Sequence, residues 1–131
     1  MRIKPLTMSC VLLLVTGLTP MIVQADLIEE RLAQYRAEGA GEFVARHGKA
    51  LWYADNEGRS CTQCHGDSPG MVGKHNKTGK RIEPMALSVN SERFSNTKKI
   101  EKWFLRNCKW TLGRECTPQE KGNILVWLKA Q

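Results

Sequence analysis

Two cysteines three residues apart, followed at once by a histidine, form the run Cys61-Thr62-Gln63-Cys64-His65. On one helical turn such a pair of thiols reaches the two vinyl groups of a haem, and the adjacent imidazole points at the iron from the same side. The run therefore predicts thioether attachment through Cys61 and Cys64, with His65 on the iron. Two plainer readings compete with it. A redox Cys-x-x-Cys pair of the thioredoxin type requires surrounding strands, and no alternating strand pattern is visible. A zinc site requires two more ligands at suitable spacing, whereas Cys108 and Cys116 lie eight apart and far downstream.

What sits on the other face of the iron decides between a closed electron carrier and a site open to gases. Met71, Met85, His47, His75 and Asn107 are the candidates. Met71 follows His65 too soon to cross the haem easily. Met85, after Pro84, has the reach, and it is equally suited to packing. His75 sits in a Lys- and Gly-rich loop, and His47 lies on a helical face beside apolar residues. Asn107 stands where an apolar helical stripe stops, a usual place for a helix-end asparagine.

The elements that must position these residues read as helices. Asp26 to Arg36 places Leu27, Ile28, Leu32 and Tyr35 near one face. Gly39-Ala40-Gly41 interrupts, and a second helix runs from about Glu42 to Tyr53, with Phe43, Val44, His47 and Leu51 at spacings of three and four. Gly66 to Asn96 lacks apolar periodicity and reads as a long loop, which needs a large apolar surface such as a cofactor to pack on. Helix resumes after Asn96-Thr97, with a stripe of Ile100, Trp103 and Phe104 ending near Asn107. Thr117-Pro118-Gln119-Glu120 then sets a capping hydroxyl, a proline at the first helical position and a glutamate at the third. Ile124, Trp127 and Leu128 supply the buried face of that last helix. The fold class expected is all-α, wrapped around one haem.

Arg2 and Lys4 precede an apolar run from Leu6 to Val23, and Val23-Gln24-Ala25 offers the small residues a signal peptidase accepts. Residues 1–25 read as a signal peptide rather than an anchor, because Pro20 and several polar residues interrupt the run. Cys10 opens the apolar run rather than closing it and does not read as a lipidation site. The 106 residues from Asp26 to Gln131 then form one small exported domain that a covalent cofactor would help to stabilise. They carry 18 Lys and Arg against 13 Asp and Glu, a net charge of +5. That excess suits an acidic protein partner, and no nucleic-acid signature accompanies it. Free thiols are unusual in exported chains, so Cys61, Cys64, Cys108 and Cys116 need assigning in pairs.

Several stretches resemble one family, the sphaeroides haem proteins. They are Cys61-Thr62-Gln63-Cys64-His65-Gly66-Asp67, Gly73-Lys74-His75 with Thr78-Gly79-Lys80, and Pro84-Met85-Ala86 with Ser88-Val89-Asn90. Glu101-Lys102-Trp103-Phe104 with Arg106-Asn107-Cys108, and the run from Gly113 to Gly122, complete the likeness. The resemblance implies a class I cytochrome c-like fold and an asparagine as sixth ligand, which maps onto Asn107. It implies a disulfide beside that ligand, mapping onto Cys108 and Cys116. It also implies release of the asparagine on reduction, binding of small ligands such as oxygen, nitric oxide or cyanide, and a dihaem c-type cytochrome as electron donor; the expected location is the periplasm.

The chemistry agrees with that implication. An amide oxygen is a hard, weak ligand that suits ferric iron better than ferrous. A disulfide across Lys109 to Glu115 contributes about 2.5 kcal/mol in the chain-entropy account. Lys98, Lys99, Lys102, Arg106 and Lys109 crowd the approach to Asn107 and would steer an acidic partner if they lie near the haem edge. The expected function is electron transfer with redox-dependent binding of a diatomic ligand. The alternative is a plain His–Met shuttle with Met85 as sixth ligand. An oxygen or nitric oxide enzyme is the third reading, although no distal acid or base stands out.

Overall fold

The last helix is the centre of the molecule, and its sequence explains why. The computed structural model describes residues 23–131, with side chains from Leu27 onward. Helix α5, Pro118–Lys129, buries Ile124, Leu125, Trp127 and Leu128. Thr117 caps it: its hydroxyl accepts from the Glu120 N–H while the Glu120 carboxylate accepts from the Thr117 N–H, and Pro118 opens the first turn. These devices fix where the helix starts, and burial of four large apolar side chains, about 1.5–3 kcal/mol each, fixes which way it faces.

Helix α1, Val23–Ala37, lays Ile28, Leu32 and Tyr35 against α5, and helix α2, Ala45–Tyr53, packs along it. The second contact is close because Gly48 has no side chain: a Cβ there would lie 2.0 Å from the Asn123 carbonyl oxygen. Buried Asn123 accepts from the Val44 N–H at 2.8 Å and so anchors the start of α2 to α5. The expected leader falls on residues 1–25, of which 1–22 lie outside the described residues.

Helix α3, Thr62–His65, is a single turn carrying the cysteine motif. The segment after it departs from the expected loop. Strand β1, Gly73–Lys74, pairs antiparallel with β2, Arg81–Ile82, with Gly73 opposite Ile82. Strands of two residues leave no alternation to read. The rest of the segment is irregular and is held by its carbonyls. Pro69 O accepts from the Met85 and Ala86 N–H groups at 2.8 and 3.0 Å, and Pro84 O accepts from Asn90 Nδ2 and Arg93 Nε.

Helix α4, Thr97–Leu112, is longer than the stripe indicated. Asn96 caps its start, accepting from the Lys99 N–H at 2.9 Å. Its end is set by Gly113 in the left-handed region at φ 72°, so Asn107 lies inside the helix and is not its terminal residue. The buried face continues past Ile100 through Cys108 and Thr111. Trp103, expected in the stripe, instead points outward at 48 % exposure, under Lys102 and Arg106. His47 is also exposed rather than packed.

Candidate haem centre

Cys61 stands at the N-cap of α3, and its carbonyl accepts from the Cys64 and His65 N–H groups at 3.3 and 3.1 Å. This single turn puts Cys61, Cys64 and His65 on consecutive corners of one helix. Gly66 ends the turn at φ 78°. Gly73 of β1 presses on it from behind, since a Cβ there would meet the Cys64 carbonyl oxygen at 2.1 Å. Tyr53, the last residue of α2, donates its hydroxyl to the Asp67 carbonyl at 2.7 Å and ties α2 to the chain leaving the motif.

Both motif thiols are free. Burial pushes the Cys61 thiol up to about 11, with a hydrogen bond to Thr111 acting the other way. Burial, and after it the charge of Arg93, lowers His65 to about 4, so its imidazole is neutral and its nitrogen lone pair available. Trp52 lies against His65 with ring centroids 5.0 Å apart. The donor set suits one haem: two unpaired thiols on one turn, with a neutral imidazole beside them. Among the described residues no three His, Cys, Asp or Glu side chains gather as a metal cluster.

The structure separates the candidates for the second axial position. Met85 is partly buried and packs on the main core. Met71 is 49 % exposed beside Gly66. His75 is exposed, and its Nδ1 accepts from the Lys77 and Thr78 N–H groups at 3.3 and 3.2 Å within the ribbon turn. His47 borders a surface cavity with Ala50, Leu51, Ala54, Glu120 and Asn123, which includes no residue of the cysteine motif. Asn107 is exposed on α4. Thr111, four residues on and so on the same face of the helix, is the residue near the Cys61 side chain. Next to Asn107, Cys108 and Cys116 are joined as a disulfide with their Cα atoms 5.5 Å apart.

Three residues of this centre escape a reading of the sequence: Trp52, Arg93 and Thr111. None stands near the motif in the chain. Trp52 had one available signal, its position four residues after Gly48 on the α2 face that meets α5.

A family model described as a domain of unknown function, DUF1924, matches residues 38–128. The cytochrome c-type protein SHP of Cereibacter sphaeroides is 40% identical over 105 residues, 76% of this chain and 81% of that protein. The chain belongs to the SHP family of c-type cytochromes. The structure of oxidised SHP, an oxygen-binding cytochrome c, superposes with a TM-score of 0.74 at 38% identity, covering 79% of this chain and 96% of that one. A solution structure of cytochrome c'' from Methylophilus methylotrophus, described as giving insight into haem-ligand detachment, matches with a TM-score of 0.64 at 29% identity. It covers 82% of this chain and 93% of its own. The SHP-family chain accordingly has a class I-like cytochrome c fold and carries a single covalent haem c.

Proposed function

We propose that this SHP-family cytochrome is a periplasmic one-electron carrier whose reduced form binds a diatomic ligand, oxygen or nitric oxide, at the position Asn107 leaves. When bound, the haem supplies a one-electron couple and an axial coordination position. Cys61 and Cys64 would hold it by thioethers, and His65 would supply a nitrogen to its iron. Asn107 would offer an amide oxygen, a hard neutral donor that ferric iron holds better than ferrous iron does. The Cys108–Cys116 disulfide limits how far the Asn107 segment moves.

The observation carrying this reading is the proximity of Cys61 to Thr111, which brings the turn of α4 after Asn107 near the first haem cysteine. The oxygen-binding relative and the relative described by its detachable haem ligand support the same chemistry. Lys98, Lys99, Lys102 and Arg106 form no ion pair among the described residues, and they flank Asn107 on α4. This cationic face suits an acidic electron donor, for which a dihaem c-type cytochrome is the expected partner. The apolar leader at residues 1–25 supports export. No helix of the described residues is long and apolar enough to cross a membrane. The absorption spectrum of the reduced protein, with and without carbon monoxide, tests the open site. A large shift of the Soret band supports it. An unchanged low-spin spectrum favours the second reading, in which Met85, close to the core and after Pro84, closes the iron.

A further inference from the structure

Three aromatic side chains connect His65 to the surface and have no part in the ligand chemistry above. His65 and Trp52 have ring centroids 5.0 Å apart, Trp52 and Trp127 5.4 Å, and Trp127 and Tyr53 6.1 Å. The series runs outward. Trp52 and Trp127 are 3 % and 6 % exposed, and Tyr53 is 43 % exposed.

Resting on the reading that His65 is the iron ligand, we propose that these rings are an electron relay through which Tyr53 supplies the second electron when the reduced protein meets hydrogen peroxide. An oxygen-binding haem releases partly reduced oxygen, and peroxide requires two electrons for clean cleavage to water. Ferrous iron has one to give in returning to ferric, and a one-electron cleavage liberates hydroxyl radical. With the relay the account closes. One electron comes from ferrous iron and one from Tyr53, and the O–O bond breaks. Two protons are taken up at peroxide, one of them balanced by the phenolic proton that Tyr53 releases to water. The products are two waters, ferric iron and a neutral Tyr53 phenoxyl radical.

The side chains suit these steps. The indole N–H of Trp52 is buried and has no hydrogen-bond acceptor. An oxidised Trp52 therefore keeps its proton and regains an electron readily from Trp127, so the vacancy moves on. Tyr53 is where it stops: its ring reaches solvent, and its hydroxyl, bonded to the Asp67 carbonyl, can pass a proton to water. Trp103 and Tyr35 compete poorly. Lys102 and Arg106 lie over the Trp103 ring at 5.7 and 5.5 Å, and two cations oppose loss of an electron there. Tyr35 is 1 % exposed and donates its hydroxyl to Glu101 within the α1–α4–α5 core, with no ring of the relay paired to it.

The test mixes the reduced holoprotein with one equivalent of hydrogen peroxide and reads it in two ways: freeze-quench electron paramagnetic resonance, and mass spectrometry after trapping with a nitroso spin trap. The wild type should show a tyrosyl signal and an adduct on Tyr53. Tyr53→Phe should lose both while its haem bleaches faster on repeated additions. Trp127→Phe keeps Tyr53 but interrupts the path, and should lower the Tyr53 adduct several-fold. A spectrum that stays ferrous after peroxide refutes the open iron site, and the relay with it. A ferric spectrum with no Tyr53 adduct, or with a Tyr53 adduct unchanged in Trp127→Phe, refutes the relay alone.

Discussion

The Cys61 and Thr111 side chains lie near each other across 50 residues of sequence, bringing the single turn of α3 beside the last turns of α4. One residue belongs to the haem motif, and the other shares a helical face with the proposed sixth ligand. The contact turns two stretches that are separate in sequence into one site.

Covalent attachment follows from the placing of Cys61, Cys64 and His65 on one turn. Acid–acetone should leave haem on the wild-type protein. The double change Cys61→Ser with Cys64→Ser should give no covalent holoprotein, and Cys61→Ser alone should leave one thioether at most. Haem released in full from the wild type would contradict the assignment of these cysteines.

The Cys108–Cys116 disulfide should lend about 2.5 kcal/mol. Replacing both cysteines by alanine should lower stability by that amount in denaturant unfolding of the holoprotein. A digest without reductant should contain one linked peptide pair spanning Lys109 to Glu115. Two free thiols, or unchanged stability in the double variant, would contradict it.

How much of this was legible varies by element. The capping run from Thr117 to Glu120 uses local chemistry only, and α5 starts where it indicates. The cysteine motif is equally local. The end of α4 is hidden because the apolar stripe stops at Phe104, while the buried face continues through Cys108 and Thr111 to a stop at Gly113. Trp103 shares the spacing of Ile100 and Phe104, yet flanking cations hold its ring in an outward position. The ribbon of β1 and β2 is too short to show a period. Trp52 beside His65 is a contact between elements, which spacing along the chain does not encode.

The cap of α5 gives a pH dependence with a definite sign. A bidentate hydrogen bond from Arg114, at 2.8 and 2.7 Å, holds the Glu120 carboxyl below its usual range, and burial only partly opposes it. Since folding lowers this pKa, the stabilisation is complete above the unfolded glutamate value of about 4.3 and is lost as pH falls through the lower folded value. Glu120→Gln should cost about 0.5–1 kcal/mol at neutral pH and almost nothing in strong acid. Thermal unfolding of both proteins across the acid range checks this. An equal difference at every pH would show that charge is not responsible.

The cationic face of α4 predicts a salt effect. Reduction by an acidic donor should slow by roughly tenfold as ionic strength rises from about 0.01 to 0.15 M. Lys102→Glu with Arg106→Glu should remove most of that dependence. These side chains lie on the surface, so the fold should be unaffected. A rate insensitive to salt in the wild type would remove α4 as the docking face.

The central claim is that Asn107 leaves the iron on reduction, and the spectra of two variants through one redox cycle test it most directly. The wild type should be six-coordinate when oxidised, and high-spin, five-coordinate and quick to bind carbon monoxide when reduced. Asn107→Ala should change the ferric spectrum and leave the ferrous one nearly as it was. Met85→Ala should keep the ferric coordination. A ferrous wild type that is low-spin and inert to carbon monoxide, and that opens only on Met85→Ala, would contradict the account and make this an ordinary His–Met electron carrier.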